Sequence, residues 1–425
     1  MKKLLSLLAA VGVMFALSSC GDDDETIDLG DGDTNDNFQV TSNITGDVTW
    51  TKDIVYELST RVIVEPGASL TIEAGTLIKG QVGDGANATG LIVARGAQIF
   101  ANGTAAEPII FTSAADEIEP GEIDSPNLTE INSGLWGGVI ILGAAPISDP
   151  GNDGTDQIEG IPGDVTLAEY GGTNAEDNSG VLRYVSIRHG GTRLGDGDEI
   201  NGLTLGGVGS GTVIENIEVV ANLDDGIEWF GGSVNVTNAL VWAADDDAID
   251  IDQAYSGTIT NAIVVAFSGT DHCLEIDGPE GNALGSFTLS NVSAKGVDDE
   301  IADFRDGARG TVSGAYFFNF VAPSFDTNGE EEGGTGEGDV ELDDDASSAN
   351  YLAGDLDFVN WQFTLDAAAT LNDVIADKAD NSTSGLDADI VNFASTVDAG
   401  SQTQGADPTV FGWTFASVNG ALSGF

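Results

Sequence analysis

The sequence is poor in positively charged residues, in cysteine and in histidine. Its 425 residues contain 13 Lys and Arg against 71 Asp and Glu, so the net charge at pH 7 is −58. This charge repels nucleic-acid phosphates, so nucleic acid is excluded as a partner and divalent cations or basic surfaces are expected instead. The two cysteines, Cys20 and Cys273, are too few for a disulfide scaffold.

Long apolar runs are missing after the N-terminal segment, yet 41% of the residues are hydrophobic. That fraction is too high for a disordered acidic chain, which lacks the apolar residues needed for a core. The chain also holds 58 Gly, with Val, Ile and Thr favoured over Leu-rich stretches. This composition predicts an all-β fold of short strands joined by glycine turns.

Residues 1–19, "MKKLLSLLAAVGVMFALSS", have the pattern of an export signal, since two lysines precede a short apolar run. The ending "ALSSC" resembles the lipobox of bacterial lipoproteins, which implies lipid attachment at Cys20; the alternative is a secretory signal without lipid. Several acyl chains would anchor the protein firmly to a bilayer. The next residues, "GDDDE", resemble the acidic stretch that directs lipoproteins of the Bacteroidota to the outer face of the outer membrane; the alternative is a solvated acidic linker.

An internal repeat follows a tether predicted at residues 20–40. Segments starting at residues 213, 234, 259 and 289 each carry an asparagine before an apolar pair, and these asparagines are 22, 23 and 30 residues apart: Asn216, Asn238, Asn261 and Asn291. Such a period predicts a right-handed parallel β-helix, a pectin-lyase-like solenoid, over residues 41–330. We interpret the asparagines as a structural ladder of hydrogen-bonded amides.

Acidic residues recur at fixed positions of this repeat and form two predicted columns. One column has an apolar residue on each side of every acid, so the acids are expected to face outward: Glu228, Asp250, Glu275 and Asp303. The second column comes from the corner before each of these strands, and its candidate metal ligands are Asp224, Asp225, Asp246, Asp247, Asp271 and Asp299. Adjacent strands lie about 4.8 Å apart, so neighbouring carboxylates repel by on the order of 1 kcal/mol even in water.

Calcium would relieve this repulsion, because Ca²⁺ accepts several oxygen ligands in loose geometry. The two acidic columns are therefore predicted to hold Ca²⁺. The alternative is a solvated acidic face that keeps an exported protein soluble. No EF-hand spacing is present, so the pattern indicates the position of a cation site better than the identity of the ion.

Candidate catalytic groups are scarce beside these acids. His272 follows Asp271 without the partners that catalysis requires, so no catalytic residue is assigned. The segment "VSIRHGGTRLGDGDEI" carries Arg188 and Arg193, which with His272 are candidates for binding a glycan carboxylate. The alternative for both arginines is pairing with acids on neighbouring turns.

The repeat is expected to end near residue 330. Residues 331–350 are predicted to be an acidic, glycine-rich loop, and residues 351–425 a cap over the last turn, with a short helix in "AATLNDVIADKAD". The alternative for the cap is a carbohydrate-binding unit that uses Trp361 and Trp413.

Several ordered segments carry a family resemblance, among them "LIVARGAQIFANGTAAEPIIFTS", "LWGGVIILGAAPIS", "LDDGIEWFGG" and "NALVWAADDDAIDID". Over residues 45–330 the chain resembles exported β-helix lipoproteins of the Bacteroidota, most of which have no assigned activity. The resemblance implies a fold and a surface location, but no catalytic residues. We expect a lipid-anchored outer-membrane module that binds cations and an extracellular glycan or protein. The alternatives are a polysaccharide lyase or glycoside hydrolase on the same face, and a structural surface protein.

Overall fold

The computed structural model describes residues 37–159, 161, 165–193, 200–296, 300–323, 338–378 and 384–425. Two predicted positions, Cys20 and Asp299, lie outside these ranges. Within them the chain forms a parallel coil in which each strand pairs with the equivalent strand of the next turn. No helix in this part of the chain is long and apolar enough to cross a membrane.

One turn of the coil contains a long bent strand, a corner, a short strand and a second corner. Val213–Asn222 is such a long strand, and the short strand Ile227–Phe230 follows it. In the next turn Asn235 aligns with Val213, and Ile249 aligns with Ile227. The strands are parallel and in register over successive turns, so the predicted parallel β-helix is confirmed.

The strands belong to two parallel sheets, which we call the long sheet and the short sheet, and to one small antiparallel pair. In the described residues the long sheet contains Phe38–Val40, Val48–Trp50, Tyr56–Leu58, Ser69–Ile72, Leu77–Gly80, Gln98–Asn102, Ile109–Ser113, Gly180–Arg188, Val213–Asn222, Asn235–Ala244, Thr258–Val265, Phe287–Lys295, Gly310–Ser313, Tyr316–Phe318, Leu356–Val359, Trp361–Thr364 and Ala394–Thr396. The short sheet contains Arg61–Val64, Gly90–Val93, Val139–Leu142, Leu203–Gly206, Ile227–Phe230, Ile249–Asp252, Leu274–Asp277, Ala302–Arg305, Val340–Leu342 and Ile375–Asp377. The antiparallel pair joins Asp156–Gln157 to Glu169–Tyr170.

The helices are short. The α-helices span Asp345–Ala353, Leu386–Phe393 and Phe415–Val418, and the 3-10 helices span Gly85–Asn87, Thr166–Ala168, Leu371–Asp373 and Pro408–Phe411. Because strands of the coil supply the main core, these helices serve as local connections and covers.

Asparagines create the bend in the long strands. Asn216, Asn238 and Asn261 have φ values of 59°, 60° and 63°, a left-handed conformation that asparagine tolerates better than other side chains with a Cβ. Asn238 donates a side-chain hydrogen bond to Asn216 over 2.9 Å, and Asn261 donates to Asn238 over 2.7 Å. The predicted structural ladder is confirmed for these three residues.

The coil continues past residue 330. Val340–Leu342 pairs with Ala302–Arg305, and Ile375–Asp377 pairs with Val340–Leu342. A short helix is present in the C-terminal region as predicted, but it spans Leu386–Phe393; in "AATLNDVIADKAD" a 3-10 turn at Leu371–Asp373 leads into that last strand instead. Ile375, a β-branched residue of this segment, begins that strand.

The C-terminal segment, residues 397–425, lies along the flank of the coil. The backbone N–H groups of Phe415 and Ala416 donate to the buried carboxylate of Glu218, over 3.1 and 2.9 Å. Trp361 and Trp413 are 1% and 5% exposed, so both are core residues in this structure. Residues 351–425 thus add turns to the coil and cover its side, which differs from the expected cap over one end.

Candidate cation site

The acidic column of the short sheet has the register that the repeat predicted. Adjacent strands align Thr204 with Glu228, and the alignment continues through Asp250, Glu275 and Asp303. One more acid, Glu341, pairs with Asp303 and extends the column. Its flanking residues, Val340 and Leu342, alternate inward as in the other turns, so the same pattern could have identified it.

The column lies on the outer face of the sheet, but it is not solvated. The flanking Ile249 and Ile251 belong to the hydrophobic core, which directs Asp250 outward. The acids are nevertheless only 5–8% exposed: Glu228 5%, Asp250 7%, Glu275 8%, Asp303 7% and Glu341 7%. Like charges in such a buried row require protons, cationic side chains or metal ions as compensation.

The N-terminal part of the column has no cationic side chain paired with it in the described part of the chain. Asp225, Glu228 and Asp250, which we call the cation-free triad, each offer an oxygen within 4.8 Å of the others. Among the described residues no Lys, Arg or His forms an ion pair with them. Burial and then the neighbouring carboxylates raise the pKa of all three well above the usual range.

The polar contacts of the triad leave room for another ligand. The backbone N–H of Asp247 donates to Asp225 over 3.0 Å, and the side-chain amide of Asn201 donates to Glu228. Within the described part of the chain, Oδ1 of Asp250 and Oδ1 of Asn201 are buried without a hydrogen-bond partner. Unsatisfied buried oxygens are costly in the absence of a ligand or a proton donor.

The triad fits calcium. Ca²⁺ binds carboxylate and amide oxygens at about 2.3–2.6 Å, so two oxygens on one ion lie at most about 5.2 Å apart. The oxygens of Asp225, Glu228 and Asp250 meet this limit. Asn201 is a further candidate ligand, since its side chain contacts Glu228 through the amide nitrogen and its Oδ1 is buried without a hydrogen-bond partner among the described residues.

The C-terminal part of the column carries its own cations, and His272 is the first. Its Nδ1 lies 2.7 Å from Asp247 and its Nε2 lies 3.3 Å from Glu300. Burial lowers the pKa of His272, but these two carboxylates outweigh it and raise that pKa to about 11. His272 is therefore a permanent cation near neutral pH and cannot act as a general base there.

Arg305 is the second cation of this part. Its guanidinium contacts Glu275, lies 2.8 Å from Asp277 and lies 3.7 Å from Asp303. Burial raises the pKa of Asp303 to about 7, against the opposing effect of His272 and Arg305. Burial and then Asp247 and Asp250 raise the pKa of Glu275 to about 10.

Lys378 continues this arrangement into the next turn. Its ammonium group contacts Glu341 and lies 3.8 Å from Asp339. Oxygens of Glu300, Asp339 and Glu341 also lie within 4.8 Å of one another. Because Lys378 already lies against this group, the group needs an added cation less than the triad does.

The acids at the corners of the coil differ in exposure and in the groups that they contact. Asp224 and Asp246 join Asp225 in a second close group, and Asp246 is exposed. Asp247 is buried and bonded to His272, whereas Asp271 is exposed and belongs to none of the close acidic groups formed by the described residues.

The two candidate arginines lie in different environments. Arg188 is 1% exposed, its guanidinium lies 3.9 Å from Glu218, and the ring of Phe415 lies 4.7 Å away. The C-terminal segment covers Arg188, so this residue has a structural position and does not face an external ligand. Arg193 is exposed, and its carbonyl accepts the backbone N–H of Gly85 over 2.7 Å.

Sequence reasoning missed Asn201 and Glu300. Asn201 precedes the strand Leu203–Gly206 by two residues and reaches a carboxylate of the next turn. The carboxylate of Glu300 lies 3.3 Å from Nε2 of His272, which belongs to the neighbouring turn. Both contacts depend on the stacking of corners, and no repeated residue type marked either position.

Comparison with known proteins gives one assignment. The chain has no match among the curated proteins or the solved structures. A family model described as a pectate-lyase like beta helix domain matches residues 42–414. Such a domain supports a carbohydrate-related or a structural role. Because this match covers most of the sequence, the chain belongs to the pectate-lyase-like β-helix family.

Proposed function

We propose that this protein is a cell-surface binding module that holds Ca²⁺ on its acidic column and engages an extracellular glycan or protein. The observation that carries the proposal is the cation-free triad, Asp225, Glu228 and Asp250, in which three buried carboxylates lie within 4.8 Å without a cationic partner among the described residues. Lipid attachment at Cys20 and display on the outer membrane are parts of the same proposal.

The donor set favours calcium over other metals. It consists of carboxylate and amide oxygens, which suit hard divalent cations, and it includes no thiolate. Calcium tolerates irregular geometry, whereas magnesium requires nearly ideal octahedral geometry. Ligands supplied by separate turns of a coil meet the calcium requirement more easily.

Calorimetric titration of residues 21–425 with CaCl₂ at physiological salt tests the metal site. We expect saturable binding and a higher melting temperature, since an ion that binds only the folded state stabilises it. Asp250→Asn should abolish binding, while Asp303→Asn should preserve it because Asp303 lies beside Arg305. A weak signal that salt suppresses, without a thermal shift, would favour a solvated or purely structural acidic face.

Lipid attachment needs its own test. Metabolic labelling with a fatty-acid analogue should mark the full chain, and Cys20→Ala should remove the label and release the protein from the membrane fraction. An unlabelled wild-type chain found in the medium would contradict the anchored location and leave the calcium proposal unaffected.

A polysaccharide-cleaving enzyme on the same face is the second candidate. Asp303 favours it, because burial raises the pKa of this carboxyl to about 7, which is near the operating pH where a general acid is most effective. Incubation with acidic and neutral polysaccharides, with and without Ca²⁺, should release unsaturated or reducing ends if the protein is an enzyme. Asp303→Asn should then abolish the release.

A further inference from the structure

Two columns of side chains run along the outer face of the long sheet, where the C-terminal segment lies. The residues between the columns, such as Val219 and Val241, belong to the main core inside the coil. Successive strands align the members of each column in register. The first column contains Ser186, Glu218, Leu240, Ile263 and Ser293, and the second contains Arg188, Val220, Trp242, Val265 and Lys295. We call these two columns the docking face.

The middle of the docking face is apolar, and the C-terminal segment buries it. Trp242 is 8% exposed and Val265 is 5% exposed, and both pack in one hydrophobic cluster with Phe411 and Phe415 of the segment. The rings of Trp242 and Phe415 lie 5.7 Å apart. Without the segment these outward side chains would face water, so their burial favours binding of the segment.

Hydrogen bonds at both ends of the docking face fix the position of the segment. At one end the carboxylate of Glu218 accepts two backbone N–H groups of the segment, over 3.1 and 2.9 Å. At the other end Oγ of Ser293 accepts the N–H of Ala406 over 2.8 Å, and Nζ of Lys295 donates to the carbonyl oxygen of Ser423 over 3.2 Å. Backbone hydrogen bonds combined with apolar contacts are the means by which protein surfaces recognise peptides. The docking face is therefore a peptide-binding surface that the chain's own segment occupies.

The segment reaches the docking face by reversing its direction at the C-terminal end of the coil. In the described residues the long sheet ends at Ala394–Thr396, which pairs with Trp361–Thr364. Just beyond, the N–H of Ser401 donates to the carbonyl oxygen of Asp398 over 2.9 Å and closes a tight, exposed turn. Gly400 in this turn has a φ of 76°, which glycine adopts without strain. If the turn opened, the segment would continue past the end of the coil and no longer run back along it.

The same end of the coil carries an exposed apolar side chain. The helix Leu386–Phe393 contacts the last described strands of both sheets and packs Ile390 into the main core. Val391 of this helix points away from the core and is 80% exposed. Two copies that meet at this end would cover Val391.

We infer that the docking face also binds the C-terminal segment of a second copy, so that two chains exchange segments and form a closed dimer. The occupant follows from complementarity, because the docking face already fits this segment and every copy carries one. Each segment would pass from the C-terminal end of its own coil to the other coil, and both docking faces would stay filled. The inference goes beyond the proposed function and involves no residue of the cation-free triad.

Refolding residues 21–425 from urea over a range of protein concentrations tests for the dimer. About 0.5 M NaCl in the buffer screens the repulsion between chains of net charge −58. We expect size-exclusion chromatography with light scattering to show a dimer whose share rises with the concentration during refolding. Gly400→Pro should raise that share at least about fivefold, because proline cannot adopt the φ of the turn. Gly121→Pro is the matched control, since Gly121 also has a positive φ in an exposed loop, and it should leave the share unchanged.

Disulfide trapping between two different chains assigns the dimer to segment exchange. One chain carries Lys295→Cys and the other carries Ser423→Cys, because these residues contact each other in the docked segment. After the two chains are refolded together under reducing conditions and then oxidised, we expect a covalent heterodimer joined through positions 295 and 423. Arg61→Cys, on the short sheet, replaces Lys295→Cys in the control and should give only background yield. The native Cys273 is buried and does not compete in the folded chain.

Each result decides the inference. A wild-type chain that stays monomeric at every concentration would overturn it. A dimer without the disulfide between positions 295 and 423, or with an equal yield in the Arg61→Cys control, would show that other contacts hold the two copies and would overturn it as well. The disulfide test uses the native turn, so it is decisive even if Gly400→Pro fails to refold.

Discussion

The N-terminal and C-terminal parts of the acidic column differ in the side chains that lie beside their carboxylates. Glu228 and Asp250 have the same register and nearly the same exposure as Glu275 and Asp303. The C-terminal pair lies against His272 and Arg305, whereas the N-terminal pair has no cationic side chain among the described residues. Cationic side chains therefore compensate the carboxylates of the C-terminal part, whereas protons or a bound ion must compensate those of the N-terminal part.

This contrast separates structural from binding acids. A carboxylate that is neutralised by a neighbouring arginine gains little from a metal ion, because the ion would have to displace that arginine. A buried carboxylate without such a partner is stabilised much more by a metal ion. The sequence alone shows a uniform row of acids, so the location of the few cations decides which acids can act.

The largest expected effect comes from removing Arg305. Arg305→Met leaves Glu275, Asp277 and Asp303 without their guanidinium and makes the C-terminal part resemble the triad. We expect the free energy of unfolding to fall by about 2–3 kcal/mol, below the ~3–5 of a fully buried pair because Arg305 is 34% exposed. Urea denaturation in EDTA measures the change, and a loss below about 0.5 kcal/mol, typical of a surface pair, would contradict it.

The pH dependence of stability should be the next largest effect. Burial raises the pKa of Asp252 to about 8 and that of Asp303 to about 7 in the folded protein. The folded state therefore binds more protons than the unfolded state between pH 4 and 8, and its stability falls as the pH rises through that window. Thermal unfolding in EDTA should show this decline as a lower melting temperature at pH 8 than at pH 5. Added Ca²⁺ should reverse it mainly at pH 7–8, and a flat profile in EDTA would contradict the assignment.

Asp250→Asn should have a smaller effect of opposite sign to that of Arg305→Met. In EDTA at pH 8 it replaces a buried acid among like charges by a neutral group of similar shape, so we expect a gain of about 1–2 kcal/mol. At pH 5 the raised pKa values of the triad favour its protonated form more than at pH 8, so the gain should be smaller. Urea titrations at both pH values measure it, and destabilisation at pH 8 without metal would show that the carboxylate has a structural partner.

The sequence predicted the coil and the register of its acids because both follow from short repeated patterns. An asparagine marks the bend in four successive long strands, and alternation places Glu228 and Asp250 on the outer face with isoleucine or tryptophan inward. Burial of the acids was not predictable, because the contact of Asn201 with Glu228 joins residues from different turns. The pairing that distinguishes Glu275 from Asp250 likewise depends on which corner holds His272.

Sequence patterns predict the C-terminal third of the chain less well than the repeats that precede it. After residue 330 the spacing of the strands changes, so Val340–Leu342 and Ile375–Asp377 no longer align with the repeat by inspection. The covering of Arg188 by Phe415 joins residues more than 200 positions apart, which no local pattern encodes. Long-range packing, and not the chemistry of the residues, limited these predictions.

The smallest expected effect comes from Arg183→Met, which controls for the loss of one positive charge. Arg183 lies 2.7 Å from Glu215 on the neighbouring strand of the long sheet, and their side chains are 37% and 42% exposed. Because water and salt screen such a pair, we expect a loss of about 0.2–1 kcal/mol that disappears at high salt. Arg305→Met should retain most of its larger loss under the same conditions. Equal losses in the two variants would show that net charge governs stability, and that the contrast between the two parts of the column does not.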